Sequence, residues 1–224
     1  MMQYGLTLTS FLERAGKLYP KIEVVSRLPD NSLRRSTYAD LYQRARALAS
    51  SLQSAGIGKG DRVATLMWNH ATHLEAYFGI PAAGAVIHTL NLRLHPDELA
   101  FIANHAQDRW LIVDDVLLPI YESFKDKVHF ERVIVVPFSG LPTPSQYEDY
   151  ESLLARGSGG PAPVNADENA AVAMPKKTAV VHARHANDCR DERLVPEIRW
   201  LSTSSCLCLP VRYSSGRRRG TFRT

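Results

Sequence analysis

Four short apolar runs constrain this chain more than any other feature. Residues 62–67, 85–90, 110–113 and 133–136 are dominated by Val, Ile, Leu, Ala, Met and Trp, with little apolar–polar alternation. Strands of that kind are covered on both faces, which a parallel sheet achieves by placing helices above and below it. The intervening segments carry helical spacing. Thr37 and Asp40 supply a helix start, Tyr38, Leu41, Tyr42, Ala45, Leu48, Ala49 and Leu52 recur along one face, and Gly56 stops it. Residues 71–83 predict another helix. His95-Pro96-Asp97-Glu98 opens a third, because proline suits the first helical position and acids favour the positive end of the helix dipole. Leu99, Ile102, Ala103 and Ala106 form its buried stripe, and residues 117–124 read as a further helix. The alternation predicts an α/β fold, a mostly parallel sheet with helices on both faces.

The flanks are less regular. Ser10-Phe11-Leu12-Glu13 has the pattern of a reciprocal helix cap, predicting a short helix to about Tyr19. Ile22, Val24 and Val25 mark a strand over 21–27, and Pro29-Asp30-Asn31-Ser32 turns the chain. After residue 136 the pattern loosens through Pro137, Pro142 and Pro144, then recovers in 147–154. The expected organisation is an α/β portion over 1–154, a linker over 155–166 around Gly157-Ser158-Gly159-Gly160, and the start of a further strand over 167–174.

At Met174 the composition changes. Up to that residue there are 16 Lys+Arg against 19 Asp+Glu; beyond it there are 11 against 4. Nine arginines and all three cysteines fall in residues 175–224, whose apolar residues have no sustained period, so this stretch reads as an unrelated, irregular and disordered basic tail. The whole chain, 45% hydrophobic and 22% charged with mean hydropathy −0.21, is neither collagen-like nor coiled coil. No run reaches the roughly 20 apolar residues of a spanning helix, and Met1-Met2-Gln3-Tyr4-Gly5 lacks the basic-then-apolar order of a secretory signal. The expectation is a cytoplasmic chain with no membrane span.

Several ordered blocks resemble a known family. Ser36-Thr37-Tyr38-Ala39-Asp40-Leu41 and Gly58-Lys59-Gly60-Asp61-Arg62-Val63-Ala64 resemble the opening blocks of adenylate-forming enzymes. His73-Leu74-Glu75-Ala76-Tyr77-Phe78 is similar to the fatty acyl-CoA ligases within that group. Pro81-Ala82-Ala83-Gly84-Ala85-Val86-Ile87-His88-Thr89-Leu90-Asn91, followed by Arg93-Leu94, resembles the next core motif. The resemblance covers residues 36–174. It implies ATP, Mg²⁺ and coenzyme A for the full-length family: a carboxylate is joined to AMP, and the acyl group then passes to the coenzyme A thiol.

Activating a carboxylate on a triphosphate calls for backbone N–H groups, hydroxyls and cations aimed at the developing charge. The family, by resemblance, supplies them from a Ser/Thr/Gly-rich loop ending in Pro-Lys-Gly, immediately after a strand like 170–174. Here the sequence reads Pro175-Lys176-Lys177-Thr178-Ala179-Val180-Val181-His182. Pro175-Lys176 echoes the end of that loop and Val180-Val181-His182 the segment after it, but the phosphate-cradling part has no counterpart. The later family motifs, including a C-terminal catalytic lysine, have none either. The expectation is a chain truncated before the phosphate-binding loop and inactive alone, with no catalytic, cofactor-binding or metal residue of its own and no bound cofactor. A change of reading frame in a GC-rich gene accounts for the altered charge, cysteines and motifs together. The alternative is a non-catalytic module, with a full-length ligase or a second copy of the chain as partner.

The remaining patterns favour structural readings. Gly56-Ile57-Gly58-Lys59-Gly60 follows a helix and precedes a strand, the reverse of a nucleotide loop, and reads as a helix stop. His70 and His73 could share a metal but lack a third ligand, so they read as helix-surface residues. Asp114-Asp115 reads as a cap for the next helix. Cys189, Cys206 and Cys208 with His182 and His185 do not have zinc-site spacing. The Arg217-Arg218-Arg219 cluster lacks the aromatic interleaving and folded platform of a nucleic-acid surface, so no nucleic-acid partner is expected.

Overall fold

The computed structural model describes residues 7–157 and 170–174, together with the backbone of 181–182. The elements in chain order are α1 (Leu8–Leu18), β1 (Glu23–Arg27), β2 (Leu33–Thr37), α2 (Tyr38–Ser54), β3 (Arg62–Leu66), α3 (Ala71–Ala82), β4 (Val86–Thr89) and α4 (Pro96–Ala106). They continue with β5 (Trp110–Asp114), α5 (Leu118–Glu122), β6 (Arg132–Val136), β7 (Glu148–Asp149), α6 (Tyr150–Gly157), β8 (Ala171–Met174) and β9 (Val181–His182). Strands β3 to β9 form one sheet in the order β7-β6-β5-β3-β4-β8-β9. Its pairings are parallel except for β9, which runs antiparallel to β8. The mostly parallel α/β sheet expected from the apolar runs is therefore present.

Strand alternation divides the core in two. Val63, Ile87, Trp110, Ile112 and Ile134 face α2, α3 and α6, meeting Leu48, Leu52, Ile80 and Leu153. Ala64, Leu66, Leu111, Val113 and Val135 face the opposite side, where Leu99 of α4 and Leu117, Tyr121 and Phe124 around α5 cover them. A smaller cluster joins Leu12 of α1 to Leu41 and Ala45 of α2.

Local starts and stops follow backbone hydrogen bonding. Thr37 and Asp40 form a complete reciprocal cap on α2, and Gly56, at φ +89°, turns the chain out of that helix in a conformation that suits glycine. His95 and Glu98 form a second such cap on α4. At the other end of α4, Arg62 donates from Nε to the Ala106 carbonyl at 2.7 Å, placing a cation on the negative end of the helix dipole.

Several expectations are corrected. The helix foreseen from Ser10 begins at Leu8, after Thr7; Ser10 lies inside its first turn, with its hydroxyl 3.3 Å from that of Thr7. Residues 33–37 form a strand that charged and hydroxyl side chains hid, because this hairpin is covered on one face only. The helix expected over 117–124 is a 3₁₀ turn at Asp115–Leu117 followed by the single turn of α5. Helix α6 runs to Gly157, so the first residues read as linker are helical. The rest of that linker, and the tail apart from the β9 backbone, lie outside the described residues. Among the described residues, no helix is long and apolar enough to cross a membrane.

Candidate functional site

The order of the sheet points to one place. From β3 the chain crosses to β4 on one side, then to β5 on the other, so the carboxyl ends of β3 and β5 flank the point where the winding reverses. Open α/β sheets take ligands in that crevice. Here it holds a buried polar lock. Asp114, the last residue of β5, is fully buried and accepts from the Trp68 backbone N–H at 2.7 Å. His70 Nε2 donates to its carboxylate, 3.0 and 3.1 Å from the two oxygens. The imidazole also stacks on Phe138, beyond β6, with ring centroids 4.2 Å apart. Burial raises the Asp114 carboxyl above the usual range, against the hydrogen bond from His70.

A second network adjoins it. Arg44 of α2 donates to Glu75 of α3 at 2.7 Å and, through both terminal nitrogens, to Glu151 of α6. Tyr150 donates to the other Glu75 oxygen at 3.0 Å. Burial lifts the Glu75 carboxyl above its ordinary value despite the Arg44 guanidinium. Ser26, from β1, accepts the first backbone N–H of α3, that of Ala71, at 2.8 Å. Between these groups lies a cavity of about 230 Å³ bordered by Ser26, Arg44, His70, Glu75, Phe138 and Glu151. It falls short of the ~300–1,000 Å³ usual for small-molecule sites, and its deepest arginine is already neutralised by two carboxylates.

His70 and His73 are not helix-surface residues. His70 occupies the N-cap position of α3 and turns towards Asp114, whereas His73 lies inside the helix with Nε2 3.2 Å from the Thr65 hydroxyl. Both are buried, and their ring nitrogens serve different partners. Burial, then the neighbouring His70, lowers the His73 pKa to about 4. Asp114 is not a helix cap: its side chain makes no capping bond to the turn after it. Asp115 accepts from the backbone of Val116 and from Ser139, tying the loop after β5 to the loop after β6. Gly56 and Gly60 stand at a helix stop and a turn, both at positive φ, as the order of elements predicts. Cys189, Cys206, Cys208 and His185 lie outside the described residues, as does the His182 side chain. Among the described residues, no group of three or more His, Cys, Asp or Glu could hold a metal ion.

Sequence reasoning did not foresee the His70–Asp114 pair. An acid ending the apolar run Trp110-Leu111-Ile112-Val113 was the available signal, since a carboxylate beside a doubly covered strand needs a buried partner.

Comparisons with known proteins give the family. Residues 12–182 match the model of the AMP-binding enzyme family. The match begins before the expected block at 36 and passes Met174 to include β9. A long-chain-fatty-acid–CoA ligase of Thermus thermophilus is 46% identical over 178 residues, covering 80% of this chain and 32% of the relative. A 3-methylmercaptopropionyl-CoA ligase of Ruegeria lacuscaerulensis is 34% identical over 161 residues, covering 70% of this chain and 30% of the relative. The chain thus spans about a third of the length of these curated relatives. In fold it is similar to the crystal structure of a putative long-chain-fatty-acid CoA ligase from Rhodopseudomonas palustris. That likeness has a TM-score of 0.68 at 19% identity and covers 80% of this chain and 45% of the other. With a family match over most of its length, the chain belongs to the AMP-binding enzyme family.

Proposed function

We propose that this chain carries the N-terminal α/β portion of an ATP-dependent acyl-CoA ligase and, as it stands, forms no acyl-adenylate. One observation carries the second half of that reading. Strand β8 ends at Met174 and its antiparallel partner β9 begins at Val181, so the connection is only Pro175-Lys176-Lys177-Thr178-Ala179-Val180. In the family resemblance this is the place of the Ser/Thr/Gly-rich phosphate loop. Close approach of backbone N–H groups to a polyphosphate favours residues without side chains, and this connection has no glycine. The small volume of the cavity beside His70, and the engagement of its Arg44 by Glu75 and Glu151, support the same reading, although Arg34 and Arg35 also border it. The names of the relatives support a carboxylic acid, a fatty acid in the Thermus ligase, as the substrate of a complete enzyme of this kind.

The test is a mixture of the 224-residue chain with ATP, Mg²⁺, a fatty acid and coenzyme A, assayed for pyrophosphate. The expected result is no release above background; release at a rate typical of ligases refutes the reading. A reading-frame change is the proposed origin of the basic tail, and the coding DNA downstream of codon 174 checks it. A Gly-rich loop encoded in another frame supports that origin, and its absence from every frame removes it.

A second reading has its own support. The chain acts as a non-catalytic module that associates with a ligase polypeptide, a role favoured by the apolar side chains that α1 and the β1–β2 hairpin leave exposed.

A further inference from the structure

The start of α3 borders the cavity with more hydrogen-bond donors than the protein itself uses. An α-helix leaves its first backbone N–H groups without partners inside the helix. In the 12-residue α3, that of Ala71 is taken by Ser26 Oγ at 2.8 Å, while those of Thr72 and His73 have no acceptor among the described residues. The His70 side chain does not cap them, because its Nε2 is committed to Asp114. Two hydroxyls border the same space. Ser26, 5% exposed, accepts from Ala71 and has its own proton left to give. Thr72, 7% exposed, has no hydrogen-bond partner among the described residues. It shares with Glu75, one turn on, the helix face that borders the cavity. A hydroxyl buried this deeply is normally bonded, so an unpaired one on a cavity wall marks a ligand position.

Charge narrows the ligand. Three arginines and three carboxylates lie on the border. Arg44 is bound to Glu75 and Glu151, Arg35 to Glu23 across the hairpin, and Asp40 to Thr37 in the α2 cap. Arg34 forms no ion pair among the described residues, and the register sets it directly opposite Ser26, on the hairpin face turned to α3. We propose that the start of α3, the Ser26 and Thr72 hydroxyls and Arg34 form a binding site for one phosphate group, free or at the end of a monoester. The N–H groups and the positive end of the helix dipole hold an oxyanion, and the unpaired guanidinium supplies the matching charge. A tetrahedral oxyanion offers acceptor oxygens to donors on the helix and on the hairpin at once. The volume of about 230 Å³ holds one such group, and the carboxylates of Glu75 and Glu151 oppose a longer polyanion.

Titration of the 224-residue chain with inorganic phosphate, followed by backbone amide NMR signals, tests the site without a catalytic assay. At constant ionic strength, phosphate should move the Thr72 and His73 amide signals saturably and raise the Tm, as a ligand of the folded state does. Arg34→Gln should weaken binding about tenfold and Thr72→Val about fivefold, each variant keeping the circular dichroism of the parent. Arg27→Gln removes the same charge from the opposite face of the hairpin, and there the affinity should stay within about twofold of the parent. Glycerol phosphate, titrated beside inorganic phosphate, identifies the source. Tighter binding of the ester assigns the site to the phosphate end of an organic molecule; equal or weaker binding assigns it to the free anion. Unmoved Thr72 and His73 signals overturn the proposal, whatever the variants do. An affinity indifferent to both Arg34→Gln and Thr72→Val also overturns it, by placing the phosphate on basic residues elsewhere, as does acetate bound as tightly as phosphate.

Discussion

The seven-stranded sheet and the α1–hairpin unit obey the same hydrogen-bonding rules and differ in how many faces are covered. In the sheet, Val63 and Ala64, or Ile112 and Val113, point to opposite sides and both sides are dry. A polar side chain can be tolerated there only with its partners in place, as with Asp114, His70 and the Trp68 N–H. In the hairpin, five residue pairs form the ladder, but Val25 and Leu33 face out and only Ser26 is deeply buried. Backbone pairing sets the geometry of both regions; burial of both faces is what separates the sheet from the hairpin, which has one face in water.

The largest effect that could break this contrast comes from removing the buried lock. Asp114→Ala leaves His70 Nε2 and the Trp68 N–H without their acceptor and should destabilise the chain by about 3–5 kcal/mol in urea unfolding. A loss under about 1 kcal/mol would show that the lock contributes little. Next comes pH. His73 has an ordinary value of 6.5, lowered to about 4 in the folded chain, so between those values the unfolded state binds more protons and stability falls as pH falls. The contribution is about 3 kcal/mol at full development. Comparing urea midpoints at pH 7 and pH 4 for the parent and for His73→Gln isolates it, because Asp114 and Glu75, whose pKa values are raised, act in the opposite sense and remain in both. The variant should show the smaller loss on acidification.

Packing comes third. A Cβ on Gly79 would lie 2.8 Å from both the Ala45 carbonyl and Leu48 Cδ2, so Gly79→Ala should cost about 1–3 kcal/mol by forcing α3 away from α2, measured by thermal melting. Asp40→Ala removes the half of the α2 cap in which the carboxylate accepts from Thr37 and should cost about 1 kcal/mol in the same measurement. Smallest of all, Val25→Ser and Leu33→Ser in the hairpin should each fall within about 0.5 kcal/mol of the parent, since these side chains are already half in water. A large loss there would mean that the hairpin face is covered within the chain itself.

Much of the fold was legible in the sequence because the relevant signals are local. The apolar runs became β3, β4, β5 and β6, and the Thr37–Asp40 and His95–Glu98 pairs became helix starts at their expected places. The misreadings have physical causes of their own. Leu33-Arg34-Arg35-Ser36-Thr37 carries little apolar signal because its partner strand, rather than a core, holds it in place. His70 and His73 looked like surface residues because helical spacing says nothing about which strand ends a helix start is pressed against.

Periodicity, capping residues and charge therefore determined, from the sequence alone, most of the elements, the parallel α/β class and the change of composition at Met174, since each depends on neighbours a few residues apart. The tertiary structure decided which strands are adjacent, and with that the meeting of Asp114 with His70, 44 residues away, and of Arg44 with Glu75 and Glu151. It also decided which face of the hairpin stays uncovered. Burial and pairing between distant segments are properties of the packed sheet, and no local pattern encodes them.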